Sequence, residues 1–210
     1  MRCARLRLAH GWTLVQSAPA TAALVRNFIR PAIREVPRSL ARRLGTCQIS
    51  LVEAIEGDAA SKWTLTADRL TVSVAAAGIG EHDVALELLG CLGQAAWEKL
   101  SDAELRSYWT LLREEIGAGV EGEIDEEALE EKRSLLQRRF NAGSVRRLTR
   151  YARASFAGTM AEYVHCLWHE VTVRTGPEHL PAPALRRRLE WLARRFPPNQ
   201  GQRLFASEEG

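Results

Sequence analysis

Hydrophobic and polar positions change period twice along this chain. Within residues 17–44, Leu24, Val25, Phe28, Ile29 and Ile33 keep helical spacing. Ser17 suits a cap and Pro19 a first turn. Pro31 and Pro37 predict a helix kinked or divided into two pieces, and Gly45 predicts its stop. From Thr46 the pattern becomes β-branched and apolar, so TCQISLVEAIE (46–56) predicts a strand. GDAAS is turn chemistry. KWTLT (62–66) and RLTVSVAAA (69–77) flank Ala67-Asp68 and predict a hairpin that Gly78 and Gly80 end. The expectation is about three strands within 46–77.

Beyond Gly80 the helical period returns. Residues 81–99 carry Val84, Leu88, Leu92 and Trp97. Ser101 with Glu104 matches a capping box, which starts a helix running to about Gly117. EGEIDEEALEEK (121–132) holds seven acidic residues and one Lys, with Arg133, Arg138 and Arg139 following. That order suits a solvated helix aligned with its own dipole. Asn141-Ala142-Gly143 breaks it. Residues 144–173 predict helix in two pieces, with Ser155 capping the second. TGPEHLPAP (175–183) predicts a loop, and ALRRRLEWLARRF (184–196) an amphipathic helix ended by Pro197-Pro198. The expected fold class is α+β, mainly helical, with a small mixed sheet packed on helices. One domain over 1–198 would carry a helical insertion at about 101–142, and 199–210 would be a mobile tail.

Composition narrows this only a little. A chain of 210 residues buries roughly 70% of its unfolded surface, enough for a self-supporting core. Hydrophobic residues at 46% and charged residues at 26% exclude disorder as the dominant state. The net charge of +3 comes from 29 basic and 26 acidic side chains, too balanced to demand a polyanionic partner. Cys3, Cys47, Cys91 and Cys166 form no CxxC pair, which leaves a zinc ribbon or thioredoxin-like site unsupported. The basic N-terminus lacks an apolar run of signal-peptide length, and VSVAAAGIG (72–80) is too short to span a bilayer. A soluble cytoplasmic protein without membrane contact is the expectation.

The informative order is a hairpin, a helix beginning EHDVALELLG (81–90), a helical insertion, then a helix containing YARASFAGTMAEY (151–163). In this the chain resembles the zincin-like metallopeptidases. There, the helix after the edge strand carries HExxH, whose two His at i and i+4 lie about 40° apart on one helix face and share a zinc. The Glu between them takes a proton from the zinc-bound water. A later helix supplies a glutamate as third ligand. The resemblance puts the first His at His82, the general base at Asp83, the second His at Leu86 and the third ligand at Gly158. Leu86 and Gly158 offer no donor, so what it implies is a catalytically inactive zincin-like protein without a cofactor. Such a protein would be a scaffold or regulatory binding protein acting on a protein partner.

Two alternatives remain open. Glu162, His165 and His169 fall at i, i+3 and i+7, within about 60° on one helix face. With His82 they could hold zinc as relocated ligands of a metal-dependent hydrolase. Separately, RRFNAGSVRRLTRYAR (138–153) holds six Arg and no acid, and residues 186–195 hold five Arg against Glu190. Arg186, Arg187, Arg194 and Tyr151 could touch phosphate or stack a base. Near-balanced charge argues against nucleic acid, and the acidic helix is an equally good partner for Arg146, Arg147, Arg150 and Arg153. No GxSxG elbow, Walker loop or dinucleotide fingerprint appears. The six Trp keep helical spacing among aliphatic neighbours, which suits core packing.

Overall fold

A computed structural model describes residues 4–16, 21–57, 59–137, 144–169 and 176–205. The expected cap at Ser17, the helix break at 141–143 and the end of the tail lie outside them. So do Cys3, Arg138 and Arg139.

The chain is α+β. Five strands among the described residues form one mixed sheet of order β1-β2-β3-β5-β4. The expected three are present as β3 (Thr46–Val52), β4 (Ser61–Leu65) and β5 (Arg69–Ala75). The sequence reading missed β1 (Ala4–Arg7) and β2 (Thr13–Gln16). His10 (φ 60°) and Gly11 (φ 75°) turn the chain between them. Strand β2 runs parallel to β3 with Leu14 opposite Ile49, and β3 runs parallel to β5 with Ile49 opposite Val72. Alternate residues of these strands are fully buried, because the sheet is covered on one face by helices. Strands β4 and β5 form the expected antiparallel hairpin, Lys62 opposite Ser73, which leaves β4 at the edge.

The first helical region begins at Thr21, whose hydroxyl caps Leu24 N–H. It passes through α1 (Ala22–Leu24), a π turn at Val25–Ile29 and α2 (Arg30–Glu35). Pro31 therefore does not divide the helix. It sits in the first turn of α2, where the wider π turn ends. Pro37 does divide it, and α3 (Arg38–Leu44) follows, ended by Gly45.

Helix α4 (Glu81–Trp97) packs against β4 and β5 and buries Val84, Ala85, Leu88 and Leu92 in the core. The capping box at Ser101 and Glu104 opens α5 (Asp102–Gly117). Both carboxylate oxygens of Glu104 also accept from Arg43 Nη1, at 2.9 and 3.0 Å. Helix α6 spans Glu126–Leu136 and is capped by Asp125, so 121–125 is irregular chain with one isolated bridge at Glu123 rather than helix. Helix α7 (Ser144–Trp168) is one continuous element. Ser155 does not cap a second piece. It is buried mid-helix, bonded to Tyr108 Oη at 3.0 Å and to Arg188 at 2.8 Å. Helix α8 spans Ala182–Arg195.

Helices α4 and α7 cross at close range. A β-carbon on Gly93 would stand 2.7 Å from Ala157 O and 2.8 Å from its Cα, so only glycine fits there. With Gly93 at Ala157 and His82 beside His165, the two helices run antiparallel. This crossing sets the geometry of the candidate site. No helix among the described residues is long and apolar enough to cross a membrane.

Candidate functional site

A cavity of about 770 Å³ opens where α4, α7, the segment 123–127 and the loop before α8 meet. The first turn and exposed side of α4 contribute His82, Leu86, Glu87 and Gly90, and α7 contributes Ala157, Gly158, Ala161, Glu162 and His165. All four motif positions nominated from the sequence fall on or beside this cavity. His82, Leu86 and Gly158 line it, while Asp83 is exposed next to it. Leu86 is half-buried and presents hydrocarbon to the space. Edge strand β4 closes one side, with Ser61 Oγ donating to Glu87 Oε2 at 2.9 Å and Trp63 Nε1 bonded to Gln94.

Segment 122–125 forms a strap along the opposite side. Glu123 N–H donates to Glu178 O and Leu180 N–H to Glu123 O, both at 3.0 Å, which makes a parallel bridge to the chain before α8. Gly122 (φ 73°) must be glycine, since a β-carbon there would collide with the backbone of Glu178 and His179. The strap is anchored by Arg188, which is fully buried. Its guanidinium donates to Glu123 Oε2 at 2.6 Å, Glu123 Oε1 at 2.9 Å and Glu115 Oε2 at 2.6 Å. Tyr151 donates to Glu123 Oε1 at 2.5 Å, and Lys132 Nζ donates to Gly122 O at 2.8 Å. Burial works to raise the Glu123 pKa, but Arg188, Tyr151 and Lys132 hold it below the ordinary value. Tyr151 is thus a buried donor, not a surface ring for stacking a base. Of the other basic candidates, Arg150 pairs with Glu131 at 3.3 Å as expected. Arg153 pairs instead with Glu98 at 3.2 Å, and Arg186 with Glu190 at 3.1 Å.

Asp125 occupies the place where a side chain at 158 would project. A β-carbon on Gly158 would collide with Asp125 Oδ2, while Asp125 Oδ1 accepts from Ala128 N–H at 2.8 Å. Burial of that inward-turned carboxylate, with Glu127 and Glu123 nearby, lifts its pKa to about 6. Gly158 therefore contributes no ligand, and its space is already filled. The zinc implied by the resemblance does not fit residues 82, 86 and 158, where one imidazole stands beside a hydrocarbon and a backbone.

The relocated set is only partly assembled. His82 Nε2 and His165 Nε2 stand 3.0 Å apart, bridging α4 and α7. His165 Nδ1 lies 3.6 Å from Glu162 Oε2, and His82 Nδ1 lies 3.9 Å from Asp83 Oδ1. The His169 ring centroid is 5.7 Å from that of His165 and 6.3 Å from that of His82. Among the described residues, no three His, Cys, Asp or Glu side chains are placed as they stand to hold one ion.

Sequence reasoning missed Asp125, His179 and the Arg188 anchor. Gly122 and the Asp125 cap were available signals for a turn before α6. The Glu123–Arg188 pairing spans 65 residues and leaves no local trace. Cys47, Cys91 and Cys166 are free thiols, and burial lifts their pKa to about 12, 11 and 12. The chain matches no protein-family model, no curated protein and no solved structure.

Proposed function

We propose that this chain is a zincin-like protein without peptidase activity, which uses the retained cleft as a binding surface for a protein partner. The observation that carries this reading is the gathering of the motif positions. His82, Leu86 and Gly158 are 76 residues apart at the extremes, yet they line one cavity between the helix after an edge hairpin and a later antiparallel helix. At the two remaining motif positions the same cavity offers Leu86 and Gly158 in place of the second imidazole and the third carboxylate of the family's site. It has a ligand-sized volume, an apolar floor of alanines and leucines, and acidic walls. Charge complementarity then favours a partner segment that is basic.

Rebuilding the motif tests the architecture. In a His165→Gln background, Leu86→His with Gly158→Glu and Asp125→Ala should create a zinc site that depends on His82. Competition against a chromophoric indicator reads the affinity, and circular dichroism checks the fold. A folded rebuilt chain whose zinc binding is indifferent to His82→Gln would refute the zincin-like arrangement. Hydrolysis tests the activity. The unaltered chain should not cleave an unstructured protein substrate, with or without added zinc. Saturable zinc-dependent cleavage would overturn the non-peptidase reading.

A further inference from the structure

The His82–His165 contact joins two imidazoles from different helices. Their Nε2 atoms stand 3.0 Å apart. At that distance one ring can donate its N–H to the other, and two neutral rings with both Nε2 lone pairs free can instead share one cation between them.

The dimensions suit a cation. Zinc bonds to imidazole nitrogen at about 2.0–2.1 Å, so two nitrogens of a tetrahedral site stand about 3.3 Å apart. The two Nε2 atoms need separate by only a few tenths of an ångström. A third imidazole is close by. Ring centroids of His82, His165 and His169 form a triangle with edges of 4.9, 5.7 and 6.3 Å. Three imidazoles on one tetrahedral ion would place their centroids about 5 Å apart. His169 follows the last residue of α7 and is exposed, its ring tilted by 42° to that of Trp168 with centroids 4.2 Å apart, and joining the other two imidazoles would take a rotation of its side chain. Phe28 and Trp168 wall the cluster, with centroids 6.3 and 6.4 Å from that of His82. An apolar wall of this kind limits water and strengthens ligation.

We propose that His82, His165 and His169 bind one borderline divalent transition cation, zinc by its donor set, which ties the start of α4 to the end of α7 at one end of the cleft. Imidazole nitrogen selects such ions over magnesium or calcium, which take oxygen ligands. The site shares His82 with the position the zincin resemblance implies, but its other ligands replace Leu86 and Gly158, with His165 about 10 Å along α7 from Gly158. The cation acts as a cross-link between two helices, and the proposal stands whether or not the cleft is a peptidase relic.

The test uses the untagged full chain, stripped of metal with a chelator and titrated at pH 7.5 with zinc against a chromophoric indicator. The expected result is one zinc per chain, a raised melting temperature on loading, and no response to magnesium. His82→Gln and His165→Gln should each weaken binding by at least about tenfold, and His169→Gln should weaken it less. Cobalt should give the visible bands of a low-coordinate nitrogen site in the parent and lose them in His165→Gln. Far-UV circular dichroism of the metal-free variants establishes that they fold. If His165→Gln does not, the half-exposed His82→Gln carries the test. No saturable zinc binding below roughly 100 μM, or binding that survives both substitutions, overturns the proposal.

Discussion

The strap beside the cleft has two faces, and they treat negative charge in opposite ways. Toward the core, Glu123 and Glu115 meet Arg188, with Lys132 3.3 Å from Glu123. Toward the cavity, Asp125, Glu126 and Glu127 join Glu87 and Glu162, and neither Lys nor Arg lines that space among the described residues. Scarcity of cations does not explain the contrast, since the chain carries 29 of them. A carboxylate taken fully out of water must be paired. One on a cleft wall stays partly hydrated and can stay unmatched. The matched charges therefore hold the strap, and the unmatched ones give the cleft its sign. Asp125 registers both its burial, the larger cause, and that sign in a pKa lifted to about 6.

The core face should respond most strongly. Arg188→Met keeps the bulk but leaves two buried carboxylates without their guanidinium. The expected loss is about 3–5 kcal/mol at pH 7, read by urea unfolding. Its pH dependence should also invert. In the parent, burial opposes Glu123 ionisation, but Arg188 holds the pKa below 4.5, so that stability is present above 4.5 and lost as pH falls through the depressed value. In the variant, protonating the same groups relieves them, and stability should recover on acidification. A loss below 1 kcal/mol would dissolve the contrast between the faces.

Tyr151→Phe comes next on this face. It removes the phenol that donates to Glu123 Oε1 and leaves the ring in place. A hydrogen bond to a charged group contributes about 1.5–3 kcal/mol, and the unfolding midpoint should shift by that amount. An unchanged midpoint would mean that Arg188 alone satisfies Glu123.

The part of this arrangement that was legible in the sequence was the local part. The hairpin, the Ser101–Glu104 box and the helix from Glu81 follow from rules that act within a few residues. The strands β1 and β2 were missed because each is only four residues long, too short for an alternation to stand out along the chain. Their strand state depends on the pairing of Leu14 with Ile49. The acidic run 121–132 was read as one helix because its charge order suits a dipole. A tertiary anchor, Glu123 on Arg188, holds its first residues outside the helix instead. For the site, helical spacing alone grouped Glu162, His165 and His169. The contact of His165 with His82 depended on the Gly93–Ala157 crossing, which no single helix encodes.

On the cavity face the sign should reverse. Asp125→Asn keeps the cap on Ala128 N–H and removes the charge. A folded pKa of about 6, above the ordinary 3.8, means that the contribution of Asp125 is present below 3.8 and lost as pH rises through 6. The variant should be more stable than the parent at pH 7.5 and equal to it near pH 3.5. As a residue Asp125 is exposed, so solvent screening limits the gain to on the order of 1 kcal/mol or less. Thermal melts at the two pH values check it. A destabilised variant at pH 7.5 would place Asp125 with the matched charges after all.

The smallest effect isolates the unmatched field itself. Burial is the first cause of the lifted Asp125 pKa, and the charge of Glu127 adds to it. Glu127→Gln removes that neighbour while leaving Asp125 and its contact with Gly158 in place. The Asp125 midpoint, followed by carbon-detected NMR of its carboxyl, should fall toward the ordinary value without reaching it, because burial persists. Stability at pH 7.5 should rise by a few tenths of a kcal/mol, less than for Asp125→Asn, as expected for screened like charges near a surface. An unmoved midpoint would assign the whole shift to burial. The acidic walls would then be independent solvated side chains, and the basic character inferred for the partner would lose its physical ground.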